Sequence, residues 1–100
     1  MSKIMVRYKA KPERVQENEQ LIRAVYEELH SRAPAGFHYA TFRMDDGVSF
    51  VHIASNESDC PSPLGEVAAF QRFQQDVGER CLEPPVSVEL HEIGSFRFWQ

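Results

Sequence analysis

The chain has 100 residues, 42% of them hydrophobic and 26% charged, with a formal net charge of −4. That length allows a single domain spanning residues 1–100, and the composition is ordinary for a globular protein. The acidic balance argues against a nucleic-acid partner: Lys3, Arg7, Lys9, Lys11 and Arg14 are diluted by nearby glutamates and form no basic stripe. The basic start leads into a segment that is only half apolar. Neither a signal peptide nor a membrane span is expected, and the expected location is the cytoplasm.

The first strand is read over residues 3–10, where Ile4, Val6 and Tyr8 alternate with Met5, Arg7 and Lys9. Pro12 suits the first turn of a helix and Glu13 suits its positive end. Helical spacing then runs through Val15, Asn18, Ile22, Val25/Tyr26 and Leu29, until Pro34 and Gly36 stop it.

Period two returns across residues 37–55, folded as a hairpin about Asp45-Asp46-Gly47. Two registers are open. A two-residue Asp46-Gly47 turn puts Tyr39, Thr41 and Arg43 on one face with Val48, Phe50 and His52. A three-residue loop with glycine in the bulge pairs His38, Ala40, Phe42 and Met44 with that set instead. The first is preferred, because it leaves His38, Ala40, Phe42, Met44, Val51 and Ile53 as a nearly apolar face suited to the helices. His52 would then face a partner subunit.

Residues 56–63 read as a loop, with Ser62-Pro63 as cap and first helical position and a short helical piece near residues 64–68. The second helix is read over residues 67–81, with Val67, Phe70, Phe73/Gln74, Val77 and Cys81 buried. Pro84-Pro85 then launches an overlong last strand over residues 86–99, kinked at Gly94-Ser95. Cys60 and Cys81 have no metal-like spacing and are expected as free thiols.

This order predicts an α+β, ferredoxin-like βαββαβ sandwich: a four-stranded antiparallel sheet, first and third strands central, with both helices on one face. The bare face and the aromatic tail Phe96, Phe98 and Trp99 call for cover, so a homodimer through the open sheet face and C-terminal strand is expected.

The strand 4–9 leading to Lys11-Pro12, the hairpin 39–52, the run Ala69-Phe70-Gln71-Arg72-Phe73 and the close at Gly94-Ser95-Phe96-Arg97 resemble the dimeric α+β barrel superfamily. The likeness is to its antibiotic-biosynthesis-monooxygenase-like branch and covers nearly the whole chain. It implies a homodimer with a pocket between each sheet and its helices. It also implies oxidation of phenolic or quinol-like compounds by molecular oxygen without metal or flavin, although relatives degrade haem, remove chlorite or have no known activity. The anthrone-oxidising members line their pocket with Asn, Trp, Tyr and Arg, whereas the one tryptophan here is the penultimate residue. The second helix has no histidine, which counts against haem degradation.

His52 is the first candidate for chemistry, as a proton acceptor set among apolar neighbours; the competing reading is a satisfied core or interface histidine. Asn18 would orient a ligand oxygen or sit exposed at the stripe edge. Tyr39 joins these two as an orienting group. Tyr8, Tyr26, Phe50, Phe70 and Phe73 would contact an aromatic substrate, with Arg97 steadying a phenolate, against plain core and surface roles. No metal set, phosphate loop or catalytic triad stands out, and no cofactor is expected. Three readings remain: a cofactor-free monooxygenase, a non-catalytic small-molecule-binding or stress-related protein of the same fold, and a structural dimerisation module.

Overall fold

A computed structural model describes residues 2–57 and 61–98. Four strands, β1 (Ser2–Ala10), β2 (Phe37–Arg43), β3 (Ser49–Asn56) and β4 (Cys81–Glu89), form one sheet ordered β2-β3-β1-β4. All pairings are antiparallel. Helices α1 (Val15–Arg32) and α2 (Ala68–Gln75) pack on one face. The expected sandwich and strand order are therefore observed. Pro12–Arg14 makes a short 3₁₀ turn before α1, and Ser62 caps a second at Pro63–Glu66 by accepting a 3.3 Å bond from the Leu64 amide.

The hairpin has the register of the two-residue turn, Tyr39 opposite Ala54 and Thr41 opposite His52. The loop is wider, closing only at a 2.8 Å bond from the Met44 amide to the Ser49 carbonyl. Gly47 supplies a φ of +79°, which an L side chain adopts at a cost. The Asp46 carboxylate accepts bonds from the amides of Val48 and Ser49 and from the Ser49 hydroxyl, which hold its pKa down at about 2.

The faces are the reverse of the expectation. Val6 pairs with His52 and Tyr8 with Phe50, so the Tyr39–Thr41–His52 side joins the alternation of Ile4, Val6 and Tyr8. Tyr8 and Phe50 lie in the core with Ile22, Val25, Leu29, Leu64 and Phe73, so this side meets the helices. His38, Ala40, Phe42, Val51 and Ile53 lie on the open side with Met5, Val86 and Val88. Apolarity misled here because both faces of this sheet carry apolar side chains.

Two elements end sooner than expected. The second helix stops at Gln75, and Val77–Arg80 forms a separate 3₁₀ turn, because Cys81 must extend to pair with Ala10. The last strand runs Cys81–Glu89 instead of 86–99. It ends where β1 runs out of partners: the Leu90 amide makes a 2.8 Å bond to the Lys3 carbonyl, near the start of the chain. Gly94 therefore kinks no strand. Pro84 and Pro85 sit where the β1–β4 register shifts, on an edge strand that tolerates a missing donor. Cys81 is a buried free thiol whose pKa is raised by that burial, while Cys60 and Trp99 lie outside the described residues.

Candidate functional site

Between the sheet and α2 lies a cavity of about 380 Å³, within the range of small-molecule sites. Val6, Tyr8, Tyr39, His52 and Ala54 form its floor, Phe70, Phe73, Gln74 and Val77 its far wall, and Ile4, Pro85 and Ser87 one side. No charged side chain lines it among the described residues. Such a space favours a neutral, flat, apolar molecule carrying one or two polar groups.

The polar groups are concentrated at His52, which β3 holds on the helix side opposite Val6 and Thr41. The Tyr8 hydroxyl lies 2.9 Å from Nε2. On the other side of the ring, Nδ1 is 2.7 Å from the Tyr39 hydroxyl and 3.1 Å from Thr41 Oγ1. Thr41 is bonded in turn to the Tyr26 hydroxyl at 2.8 Å. His52 is only 5% exposed, and burial pushes its pKa from 6.5 down to about 4, so the imidazole is neutral near pH 7. The same burial raises the pKa of Tyr8 and Tyr39 well above the usual phenol value. Neither tyrosine is ionised at rest.

Asn18 lies behind the floor. It is fully buried on α1, where helical spacing with Ile22 turns it inward, and its amide donates a 2.8 Å bond to the Tyr8 oxygen. Its carbonyl accepts a 3.1 Å bond from Arg80 Nε. Arg80 is 1% exposed, lies over the Phe73 ring at 5.1 Å and donates a 2.7 Å bond to the Phe73 carbonyl in the last turn of α2. That bond occupies one of the carbonyls a helix end leaves unpaired.

The structure thus brings His52, Tyr39, Tyr8, Phe70 and Phe73 to one cavity, with Asn18 touching it only through Tyr8. Three of the expected contacts lie elsewhere. Tyr26 reaches His52 only indirectly, through its bond to Thr41 and its stacking on Tyr39, Phe50 is packed in the core against Tyr8, and Arg97 lies over Phe96 beyond the last strand. Arg97 was misplaced because the strand that would have carried it stops at Glu89. Arg80 and Thr41 carry no local signal: an arginine at a helix end reads as solvated. No group of three or more His, Cys, Asp or Glu side chains suited to a metal converges among the described residues. Among the described residues no helix is long and apolar enough to cross a membrane.

Neither a protein-family model nor a curated protein matches the sequence. Solved structures do match over nearly the whole chain. A protein from Nitrosomonas europaea assigned as an antibiotic biosynthesis monooxygenase aligns with a TM-score of 0.76 and 15% identity, covering 94% of this chain and 100% of its own. A protein from Pseudomonas aeruginosa gives 0.70 and 22%, covering 93% and 94%. One from Mycobacterium tuberculosis gives 0.70 and 20%, covering 94% and 96%. With the strand order and helix placement above, these similarities establish that the chain has the fold of the antibiotic-biosynthesis-monooxygenase-like proteins.

Proposed function

We propose that this protein is a cofactor-independent monooxygenase that oxidises a small, neutral aromatic compound of the anthrone or quinol type with molecular oxygen. The observation that carries the reading is a buried, neutral histidine bracketed by two tyrosine hydroxyls at the floor of an uncharged, aromatic-walled cavity.

His52 is the base, reached through a hydroxyl that covers its accepting nitrogen, and Tyr8 and Tyr39 orient the substrate oxygen. Phe70 and Phe73 hold the ring, and Asn18 supports Tyr8 from behind. For an anthrone, loss of one proton from the ring methylene leaves a carbanion that passes an electron to dioxygen. Recombination with the superoxide forms a carbon–oxygen bond, the peroxide anion takes the proton back from the imidazolium, and the resulting hydroperoxide eliminates water to leave the carbonyl. One oxygen atom enters the product and the other leaves as water, so no external reductant is required. Ionisation places a negative charge beside the new imidazolium, which offsets the burial that disfavours a charged His52.

The working form is a homodimer closed through the open sheet face and the C-terminal segment. The exposed Phe42, Val86, Val88, Phe96 and Phe98 support it, since apolar side chains in that number are costly to leave in water. The test is product analysis after turnover of an anthrone under isotopically labelled dioxygen by metal-chelated protein. One labelled oxygen in the quinone supports the reading; a quinone without label overturns it.

One observation favours a second reading, a non-catalytic small-molecule-binding or stress-related protein. Both His52 nitrogens already have partners inside the protein, as a purely structural histidine would. A binder would keep its ligand affinity in His52→Ala and show no turnover before the change.

A further inference from the structure

His52 is held by a chain of hydrogen bonds whose far end is a group that can only donate. A neutral imidazole carries one N–H and one bare nitrogen, and which is which follows from the bonds around it. Arg80 has no acceptor, so its 3.1 Å contact with Asn18 must meet the amide oxygen. The Asn18 nitrogen is thereby turned to Tyr8 and donates to its oxygen at 2.8 Å. With that oxygen already accepting, the Tyr8 proton is free to point at His52 Nε2, 2.9 Å away. Nε2 is then the bare nitrogen, and Nδ1 carries the proton, donated to the Tyr39 hydroxyl or to Thr41. The reverse arrangement would give Tyr8 two donors, from Asn18 and His52, and leave its own proton with no acceptor among the side chains bonded to it.

We infer that Arg80, acting through Asn18 and Tyr8, locks His52 in the Nδ1–H tautomer and makes Nε2 the proton-accepting atom of the cavity. Arg80 and Asn18 are positioning residues, and neither lines the cavity. Tyr8 is the relay. As substrate gives its proton to Tyr8 Oη, the hydroxyl's own proton passes to Nε2, leaving a substrate anion and an imidazolium with no change in electron count. Tyr39 faces a nitrogen that is already protonated, so it orients substrate and passes no proton inward. Burial serves this arrangement: with Asn18 and Arg80 at 0% and 1% exposure, no bulk water competes for the chain. The catalytic half of this inference rests on the oxygenase reading; the tautomer does not.

The test is nitrogen-15 NMR of the imidazole rings at neutral pH without substrate, the His52 signals being identified by their loss in His52→Gln. The expected result is a pyrrole-like Nδ1 and a pyridine-like Nε2, and the opposite pattern overturns the inference. Asn18→Asp removes the donor to Tyr8, pairs with Arg80 and turns the Tyr8 proton away from His52. Its ring should swap to Nε2–H, and kcat should fall about a hundredfold, the scale of a lost acid–base partner, with KM little changed. A ring that stays Nδ1–H in Asn18→Asp overturns the inference. Should that variant not fold, Arg80→Met carries the test, since it frees the amide to flip: a mixture of tautomers is expected, and Arg80→Lys should restore the single form. A ring wholly Nδ1–H in Arg80→Met removes Arg80 from the account. Absence of oxygen uptake by a protein with the expected tautomer would overturn the oxygenase reading alone.

Discussion

The Tyr8 hydroxyl and His52 Nε2 lie 2.9 Å apart although 44 residues separate them in sequence. The strand pairing makes this contact: β1 and β3 set Val6 against His52 and Tyr8 against Phe50, so Tyr8 and His52 are diagonal neighbours on one face. Diagonal pairs are within reach of aromatic side chains. A slip of one residue in β3 would turn His52 to the open face.

Stability should fall as pH drops from about 6.5 to about 4. His52 has its folded-state pKa depressed to about 4 by burial, against an ordinary value of 6.5. The unfolded chain therefore binds more protons in that window, and the stability present above it is lost on acidification. The loss is about 3 kcal/mol by linkage. Urea titrations of the wild type and His52→Gln across pH 4–7 should show it as an added slope in the wild type. Parallel slopes would refute it.

Tyr8→Phe leaves the Asn18 amide and His52 Nε2 facing an apolar ring. The cost should be about 1–3 kcal/mol in unfolding free energy, as for buried polar groups left unpaired. Turnover should fall at least about a hundredfold, because the proton path is cut. Tyr39→Phe should mainly raise KM. A denaturant curve and steady-state kinetics separate the two.

Phe73→Ala removes a buried ring that packs against Tyr8, His52 and Phe70 and lies under the Arg80 guanidinium. The expected destabilisation is about 3–5 kcal/mol, typical of a large-to-small change in a core. Thermal unfolding checks it. A loss below about 1 kcal/mol would mean that the wall refills.

A charge on the open face should break the proposed dimer. Ile53 sits on that face, opposite Met5 and Ala40 on the neighbouring strands. Sedimentation should give the wild type about twice the 11.5 kDa chain mass, and Ile53→Lys a single chain mass or aggregate. A wild-type monomer at micromolar concentration would contradict the dimer.

Period-two and helical spacing were enough to read the element order, and that order implied the strand neighbours, but spacing left two hairpin registers open until the pairing of Thr41 with His52 decided between them. The faces were not legible, because Val51, Ile53 and Ala40 are as apolar as any residues that would meet a helix. Which side the helices covered depended on β1, whose Ile4, Val6 and Tyr8 join the His52 side only once the strands pair. Asn18 and His52 stood out as polar residues in apolar runs, which is a local signal. Arg80 did not: its role depends on the contact with Asn18, 62 residues away, and on a helix that ends before it. The end of β4 was illegible for a similar reason, since the length of β1 sets it.

On the proposed reading, His52 at the floor of this cavity drives a reaction of dioxygen with an aromatic substrate. Its most direct test is oxygen uptake by purified, metal-chelated protein with a panel of anthrones and hydroquinones, wild type beside His52→Ala. Uptake above the autoxidation background is expected in the wild type, with its loss in the variant. Uptake that survives in His52→Ala, or none in the wild type across the panel, would contradict it.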